Sequence, residues 1–141
     1  ALTQIVQVEF GKKDYAQSIN MAKKVCNLVS GKTQGSQDSK YRLQNMYNYI
    51  AMAHYSELRY DSAMYYARYA ISVDTNVAYP YTSLAESYAF VGQKEKFYQN
   101  VRKAVQKGFE YTPETVAQEP YVRFINDPKF QQAARYKPLK N

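Results

Sequence analysis

The chain has 141 residues, of which 45% are hydrophobic, and its formal net charge is +7. A chain of this length buries roughly 68–70% of its unfolded surface on folding, so it needs no disulfide or metal for stability. It has no apolar run approaching about 18 residues, which argues against a membrane-spanning helix. Only five glycines and five prolines interrupt long helical periodicity, and this pattern predicts an all-α domain and disfavours a β-sandwich or barrel.

The chain ends and the single cysteine say little about location. Cys26 excludes an internal disulfide framework, but this leaves both the cytoplasm and the periplasm open. The sequence begins Ala1-Leu2-Thr3-Gln4, with neither an initiator Met nor a signal-peptide pattern. Because an apolar helical pattern starts almost at once, we expect a chain cut from a longer protein.

Internal repetition organises most of the chain. Residues 1–30 carry apolar residues every three or four positions, which predicts two amphipathic helices. A loop is expected over 31–40, where two glycines and no large apolar residue occur. The next two copies are 44–77 and 78–108, and a shift of 34 residues aligns them, so that Ala51 falls on Ala85 and Arg68 on Arg102. A shift of 45 residues places the first copy on the second, with the loop as the insertion.

These repeats resemble the tetratricopeptide repeat family over residues 1–108. The family motif begins the first helix with a large residue, then an aliphatic-small pair one turn later, as in Tyr47 with Ile50-Ala51 and Tyr81 with Leu84-Ala85. Small residues in the second helix let the helix axes approach closely. Four positions depart from the motif. Leu58 replaces the glycine seen at Gly92, and Phe97 stands where a small residue is usual. Glu9 and His54 stand where the family has an aromatic residue, as at Tyr88. The resemblance implies a right-handed superhelix of three helix-turn-helix repeats.

Residues 109–141 do not continue the period and are predicted to form a C-terminal helical cap. Thr112-Pro113 and Asp127-Pro128 each pair an N-cap residue with Pro at the first helical position, which marks two helix starts. This pattern resembles the segment that follows many bacterial tetratricopeptide arrays. Four apolar residues are expected to cover the face that the last repeat would expose: Tyr121, Phe124, Ile125 and Phe130. Residues 135–141 are expected to be a frayed tail.

The groups that catalysis needs are scarce in this sequence. It has one His, one Cys and no Trp, and it lacks a Gly-rich phosphate loop and a nucleophile elbow. We therefore predict no enzymatic activity, no cofactor and no metal site. His54 falls on the inward side of its helix and is predicted to be a packed or hydrogen-bonded core histidine, not a catalytic base or a metal ligand. Cys26 is predicted to be a small core residue or a partly exposed thiol.

The resemblance implies a concave face lined by the first helix of each repeat. Its outward positions carry amides, hydroxyls and aromatic rings, which suit an extended peptide: Asn45, Asn48, Met52, Tyr55, Tyr79, Thr82 and Glu86. A protein-protein interaction module, a scaffold or adaptor, is therefore the predicted function. The clamp that grips a chaperone tail by its carboxylate is disfavoured, because the positions for its basic residues hold other side chains: Thr3, Gln7, Tyr49, Tyr79 and Ser83.

Two alternatives remain open at this point. Basic residues recur on the second helices and would form a ladder on the convex side: Lys23, Lys24, Arg68, Arg102 and Lys103. Such a ladder could bind nucleic acid or an anionic surface, or it could be an ordinary solvated face, which we favour because the chain has no dense basic arm. Alternatively, the chain is a structural segment of a larger scaffold, in which the parent chain or a second copy fills the groove by self-association.

Overall fold

The computed structural model describes residues 2–30 and 37–139, which form eight α-helices and one 3-10 helix and no strand. The prediction of an all-α fold is therefore confirmed. The elements are α1 Leu2–Gly11, α2 Tyr15–Ser30, α3 Gln37–Ser56, α4 Tyr60–Val73, α5 Tyr79–Phe90, α6 Lys94–Gln106, α7 Pro113–Val116, the 3-10 helix Tyr121–Phe124 and α8 Pro128–Ala134. Neighbouring helices pack in pairs along the chain, and α3 also contacts both α1 and α5. Among the described helices, none combines the length and apolarity that crossing a membrane requires.

The turns inside the first three helix pairs share one geometry. Each contains a residue in the left-handed region, Lys13 at φ 63°, Leu58 at φ 63° and Gly92 at φ 79°. Both shifts found in the sequence align these three positions. In each turn the next N–H donates to the carbonyl five residues earlier, at 2.9 Å: Asp14 to Glu9, Arg59 to His54 and Gln93 to Tyr88. Only glycine adopts this backbone without steric cost, so the first two turns are strained and the third is not.

Helix α3 begins earlier than the sequence pattern indicates. Residues 37–40, expected in the loop, form its first turn, which makes α3 20 residues long. Asp38 lies in that first turn, where a negative charge favours the helix dipole. Its carboxylate also pairs with Arg42 one turn later, at 3.4 Å. Polar residues that looked like a loop therefore extend an exposed helix, and residues 31–36 lie outside the described part of the chain.

The buried side chains form two clusters. One joins α1, α2 and α3 through aliphatic and sulfur-containing residues such as Val6, Ile19 and Met46. The other cluster contains residues of every element from α3 through α8 and surrounds Phe97, which is 0% exposed. The ring of Phe97 lies 4.4 Å from that of Phe124 and 5.7 Å from that of Phe130, centroid to centroid. A large residue in α6 thus fills the space between the last helix pair and the C-terminal segment.

The C-terminal segment starts its helices where the sequence predicts. The Thr112 hydroxyl accepts from the Thr115 N–H at 3.2 Å, and the Asp127 carboxylate accepts from the Lys129 N–H at 2.9 Å. Tyr121, Phe124 and Phe130 are buried in the second cluster, and Ile125 is half-buried against it.

The prediction of a frayed tail over residues 135–141 is wrong for Tyr136. Tyr136 packs against the second cluster, because Arg135 turns the chain back with φ 51°. The Tyr136 N–H then donates to the Gln131 carbonyl at 3.0 Å. This return closes the end of α8, so the first residues of the predicted tail belong to the folded structure. Residues 140 and 141 lie outside the described residues.

Candidate functional site

The first helices of the three pairs, α1, α3 and α5, enclose a cavity of about 210 Å³. Six of the seven residues predicted to bind a peptide line it: Asn48, Met52, Tyr55, Tyr79, Thr82 and Glu86. Asn45 lies about one turn before Asn48 on α3, is half-buried and does not line the cavity. The repeat pattern therefore collects residues of two distant helices at one place.

The polar residues of the cavity bond to one another, although the sequence predicts them as outward-facing. Asn48 and Thr82 are each only 7% exposed, and Ser83 is 8% exposed. The Ser83 hydroxyl donates to the Asn48 side-chain oxygen at 3.1 Å, which ties α5 to α3. The Thr82 hydroxyl donates to the Tyr79 carbonyl at 2.7 Å and keeps its own lone pairs as acceptors. Close approach of the two helices explains the difference, because short polar side chains bridge the gap.

Aromatic rings form the mouth and one side of the cavity. Tyr79 is 62% exposed and meets the ring of Phe109 edge-on at 6.2 Å. Tyr55 lies 5.8 Å from the ring of Phe90, and burial raises the pKa of its hydroxyl. The guanidinium of Arg123, from the 3-10 helix, lies 5.0 Å from the Phe90 ring centre. Arg123 thus contacts this group of rings from outside, and none of the lining residues belongs to the C-terminal segment.

Glu86 is the one charged residue among those lining the cavity. Burial raises the pKa of its carboxyl group to about 7, although the Tyr121 hydroxyl opposes this shift. The pKa of Tyr121 is itself raised, first by burial and then by the negative charge of Glu86. The carboxyl group thus lies between the cavity and the C-terminal segment, where it exchanges a proton near neutral pH.

Three further residues line the cavity: Phe10, Ser56 and Ser83. Phe10 could have been found from the sequence, because the shift of 45 residues places it on Tyr55. Ser83 also falls on the concave face that the repeat pattern predicts, beside Thr82. No pattern distinguishes Ser56, which lies at the last residue of α3.

The five residues of the predicted basic ladder do not share one cleft. All five residues are exposed. Arg68 and Lys103 line a second cleft, between α4, α5 and α6, together with Lys96. Lys23 lies over the Tyr66 ring instead, with its amine 5.8 Å from the ring centre. The remaining two, Lys24 and Arg102, are not part of the cleft.

His54 and Cys26 both contact neighbouring side chains of the fold and lie outside the cavity. The His54 Nδ1 accepts a hydrogen bond from the Arg59 Nε at 2.9 Å, and its ring stacks on Tyr66 at 5.5 Å. The imidazole is therefore hydrogen-bonded, but it is half-buried and does not belong to the core. Burial and the positive charge of Arg59 lower the pKa of this imidazole. Cys26 is 5% exposed, and burial raises the pKa of its thiol to about 11. Within residues 2–30 and 37–139, no group of three or more His, Cys, Asp or Glu side chains is placed to hold a metal.

Comparison with models of known protein families finds none that matches this chain. Comparison with curated protein sequences finds no match either.

Proposed function

We propose that the chain is a non-enzymatic protein-interaction module built of three tetratricopeptide-like repeats in a right-handed superhelix. Its binding site is the cavity between α1, α3 and α5, and its ligand is a peptide or an extended segment of a partner protein. One observation carries the proposal: six residues chosen for this role from the repeat pattern line a single cavity.

The size of the cavity favours a peptide side chain over a cofactor. Sites for drug-sized molecules usually measure about 300–1,000 Å³, whereas this cavity measures about 210 Å³. It therefore has room for one anchoring side chain, while the rest of the peptide lies across the mouth. Met52 is adaptable in shape, and Tyr55 and Tyr79 offer large contact areas with few rotatable bonds. These properties suit a large apolar anchor.

Glu86 is compatible with an apolar anchor. Because the pKa of its carboxyl group is about 7, the group takes up a proton at little cost when an apolar side chain displaces the water beside it. The Thr82 hydroxyl, with its lone pairs free, accepts hydrogen bonds from a peptide N–H. The cavity thus combines an apolar anchor site with a polar rim.

The proposal is tested by selecting binders from a random peptide library displayed on phage, with the whole chain immobilised. A selected peptide is then synthesised with a fluorophore and titrated by anisotropy. We expect Tyr79→Ala to weaken its binding by about 10-fold, or ~1.4 kcal/mol, because an exposed Tyr at the mouth is a typical anchor. Tyr79 is preferable to the buried, hydrogen-bonded Asn48 and Thr82, since its ring is mostly exposed and its loss removes little packing beyond the contact with Phe109.

The matched control is Tyr65→Ala on α4, which removes a ring of similar exposure, 56% against 62% for Tyr79, outside the cavity. Its effect should stay within about 2-fold, since it removes no contact with the peptide. Equal weakening by both variants, or no enriched peptide, would contradict the proposal. A dimer that forms with rising concentration and that Tyr79→Ala dissociates would place a second copy in the cavity instead.

A further inference from the structure

A second cleft lies on the other side of α5, between α4 and α6, and measures about 340 Å³. Three cations line it, Arg68 from α4 and Lys96 and Lys103 from α6. It shares no lining residue with the cavity described above. Any ligand it binds is therefore independent of the proposed peptide site.

One tyrosine holds two of the cations in place. Tyr88 is 7% exposed, so its ring is fixed by the core. The guanidinium carbon of Arg68 lies 5.8 Å from the centre of this ring, and the amine of Lys96 lies 5.5 Å from it. Arg68 Nη2 also donates a hydrogen bond to the Tyr88 hydroxyl. Both positive charges are thus gathered at one aromatic ring, which attracts cations but does not neutralise them.

No carboxylate balances these charges. The cleft has no acidic lining residue, and none of the ion pairs among residues 2–30 and 37–139 includes Arg68, Lys96 or Lys103. No Asp or Glu lies three or four residues before or after any of the three in the sequence, so their own helices supply no partner either. Three like charges therefore repel one another in a concave site, and a bound anion would relieve that repulsion.

The charge and shape of the cleft favour a phosphate group. A phosphate ester carries about −1.5 to −2 charges at pH 7, which matches three cations better than a single carboxylate does. The planar guanidinium of Arg68 suits two phosphate oxygens, while lysine amines act as mobile point charges. The Asn100 amide donates to the Lys96 carbonyl at 2.8 Å and retains a second N–H for an anion. A nucleic acid or a flat membrane would instead use the ladder cations outside the cleft.

We propose that Arg68, Lys96 and Lys103 bind one dianionic phosphate group in this cleft, either free or as a monoester on a partner. Arg68 orients the phosphate oxygens, and the two lysines neutralise the charge. The site goes beyond the peptide-binding function and does not depend on it.

The experiment is an amide chemical-shift titration of the ¹⁵N-labelled whole chain, with two probes, N-acetyl-O-phosphoserine amide and inorganic phosphate. The pH is held at about 7.5, where the monoester is mostly dianionic, and the ionic strength is kept constant. We expect saturable shifts in α4, α5 and α6. The double variant Lys96→Gln with Lys103→Gln should weaken binding of both probes by about 10-fold or more. Tighter binding of the monoester identifies a phosphorylated partner as the source, and equal binding identifies free phosphate.

The matched control is Lys24→Gln with Arg102→Gln, which lowers the net charge by the same amount outside the cleft. Its effect should stay within about 2-fold. Shifts that do not saturate, or equal weakening by both double variants, would overturn the proposal. So would tighter binding of a single-stranded oligothymidylate that both double variants weaken equally, because that result defines a diffuse basic surface.

Discussion

The two halves of the chain are built from the same kind of helix pair but fill their cores differently. The buried side chains of the N-terminal cluster are aliphatic or sulfur-containing, and its aromatic rings, such as those of Phe10 and Tyr49, are only partly buried against it. The C-terminal cluster packs rings on rings, with Phe97 close to Tyr121, Phe124 and Phe130. Aromatic side chains bury more apolar area than Val or Ala. Packing therefore contributes more to the free energy of unfolding in the C-terminal half than in the N-terminal half.

The turns of the two halves also differ in backbone strain, which is greater in the N-terminal half. Among the described residues, the N-terminal half places Lys13 and Leu58 in the left-handed region, whereas the C-terminal half has two glycines there, Gly92 and Gly108, and one residue with a Cβ, Arg135. A residue with a Cβ costs roughly 1–2 kcal/mol there. Packing and backbone strain thus both indicate that the N-terminal half opens first.

The largest effect is expected from Phe97→Ala. Removing a fully buried ring should lower the free energy of unfolding by about 4 kcal/mol, because both the transfer energy and a cavity are lost. Val6→Ala, at a site that is also 0% exposed in the N-terminal cluster, should cost only about 2 kcal/mol. Urea unfolding followed by circular dichroism measures both. A larger loss from Val6→Ala would reverse the ranking of the two halves.

The next effect is a pH dependence from Glu86. Burial raises the pKa of this group from 4.5 to about 7 in the folded chain, so the folded chain holds the proton more tightly than the unfolded chain. The free energy of unfolding therefore falls as the pH rises from about 4.5 to 7 and then levels off, by roughly 3 kcal/mol in all. Glu86→Gln should remove this contribution, so that the variant becomes more stable than the wild type above pH 7.

The measurement is urea unfolding at a series of pH values, in which the difference between variant and wild type isolates Glu86 from the other titrating groups. Glu95→Gln is the control, because this carboxylate is 73% exposed and pairs only with Lys129 on the surface. Its pH profile should follow that of the wild type. A constant difference between Glu86→Gln and the wild type across this range would show that the Glu86 pKa is not raised.

The smallest effect is a gain in stability from Leu58→Gly. Leu58 has φ 63° and is 72% exposed, so glycine removes steric strain and little packing. We expect the free energy of unfolding to increase by about 1 kcal/mol, which is measured as a higher midpoint of urea unfolding. Leu58→Ala keeps the Cβ and should change the stability far less. The reverse change, Gly92→Ala, should cost a similar amount, because nothing lies within 4 Å of the added Cβ and only the backbone conformation is affected.

Local and periodic features of the fold could be predicted from the sequence. Thr112 and Asp127 start helices because an N-cap followed by Pro is a local signal. Met52 and Glu86 meet in one cavity because equivalent positions of successive repeats share a face. The assignment of the polar stretch 37–40 to a loop was wrong, since its residues are compatible with both a loop and an exposed helix turn.

Contacts between helices distant in the sequence were beyond prediction. The Ser83 to Asn48 hydrogen bond joins residues of α5 and α3, and it depends on the spacing between the two helices. Lys96 joins Arg68 in the second cleft only because Tyr88 of α5 stands between α4 and α6. A register of repeats indicates which residues share a face, but the distance between helix axes decides which of them bond to each other.

The chain also carries its own chemical reporter. Cys26 is its single cysteine, lies in the N-terminal cluster and has a thiol whose pKa is raised to about 11. At neutral pH the Cys26 thiol is therefore both buried and protonated. A thiol reagent can alkylate it only after α2 has separated from its neighbours. The alkylation rate of Cys26 in the unaltered protein therefore reports how often the N-terminal half opens, and no probe has to be introduced.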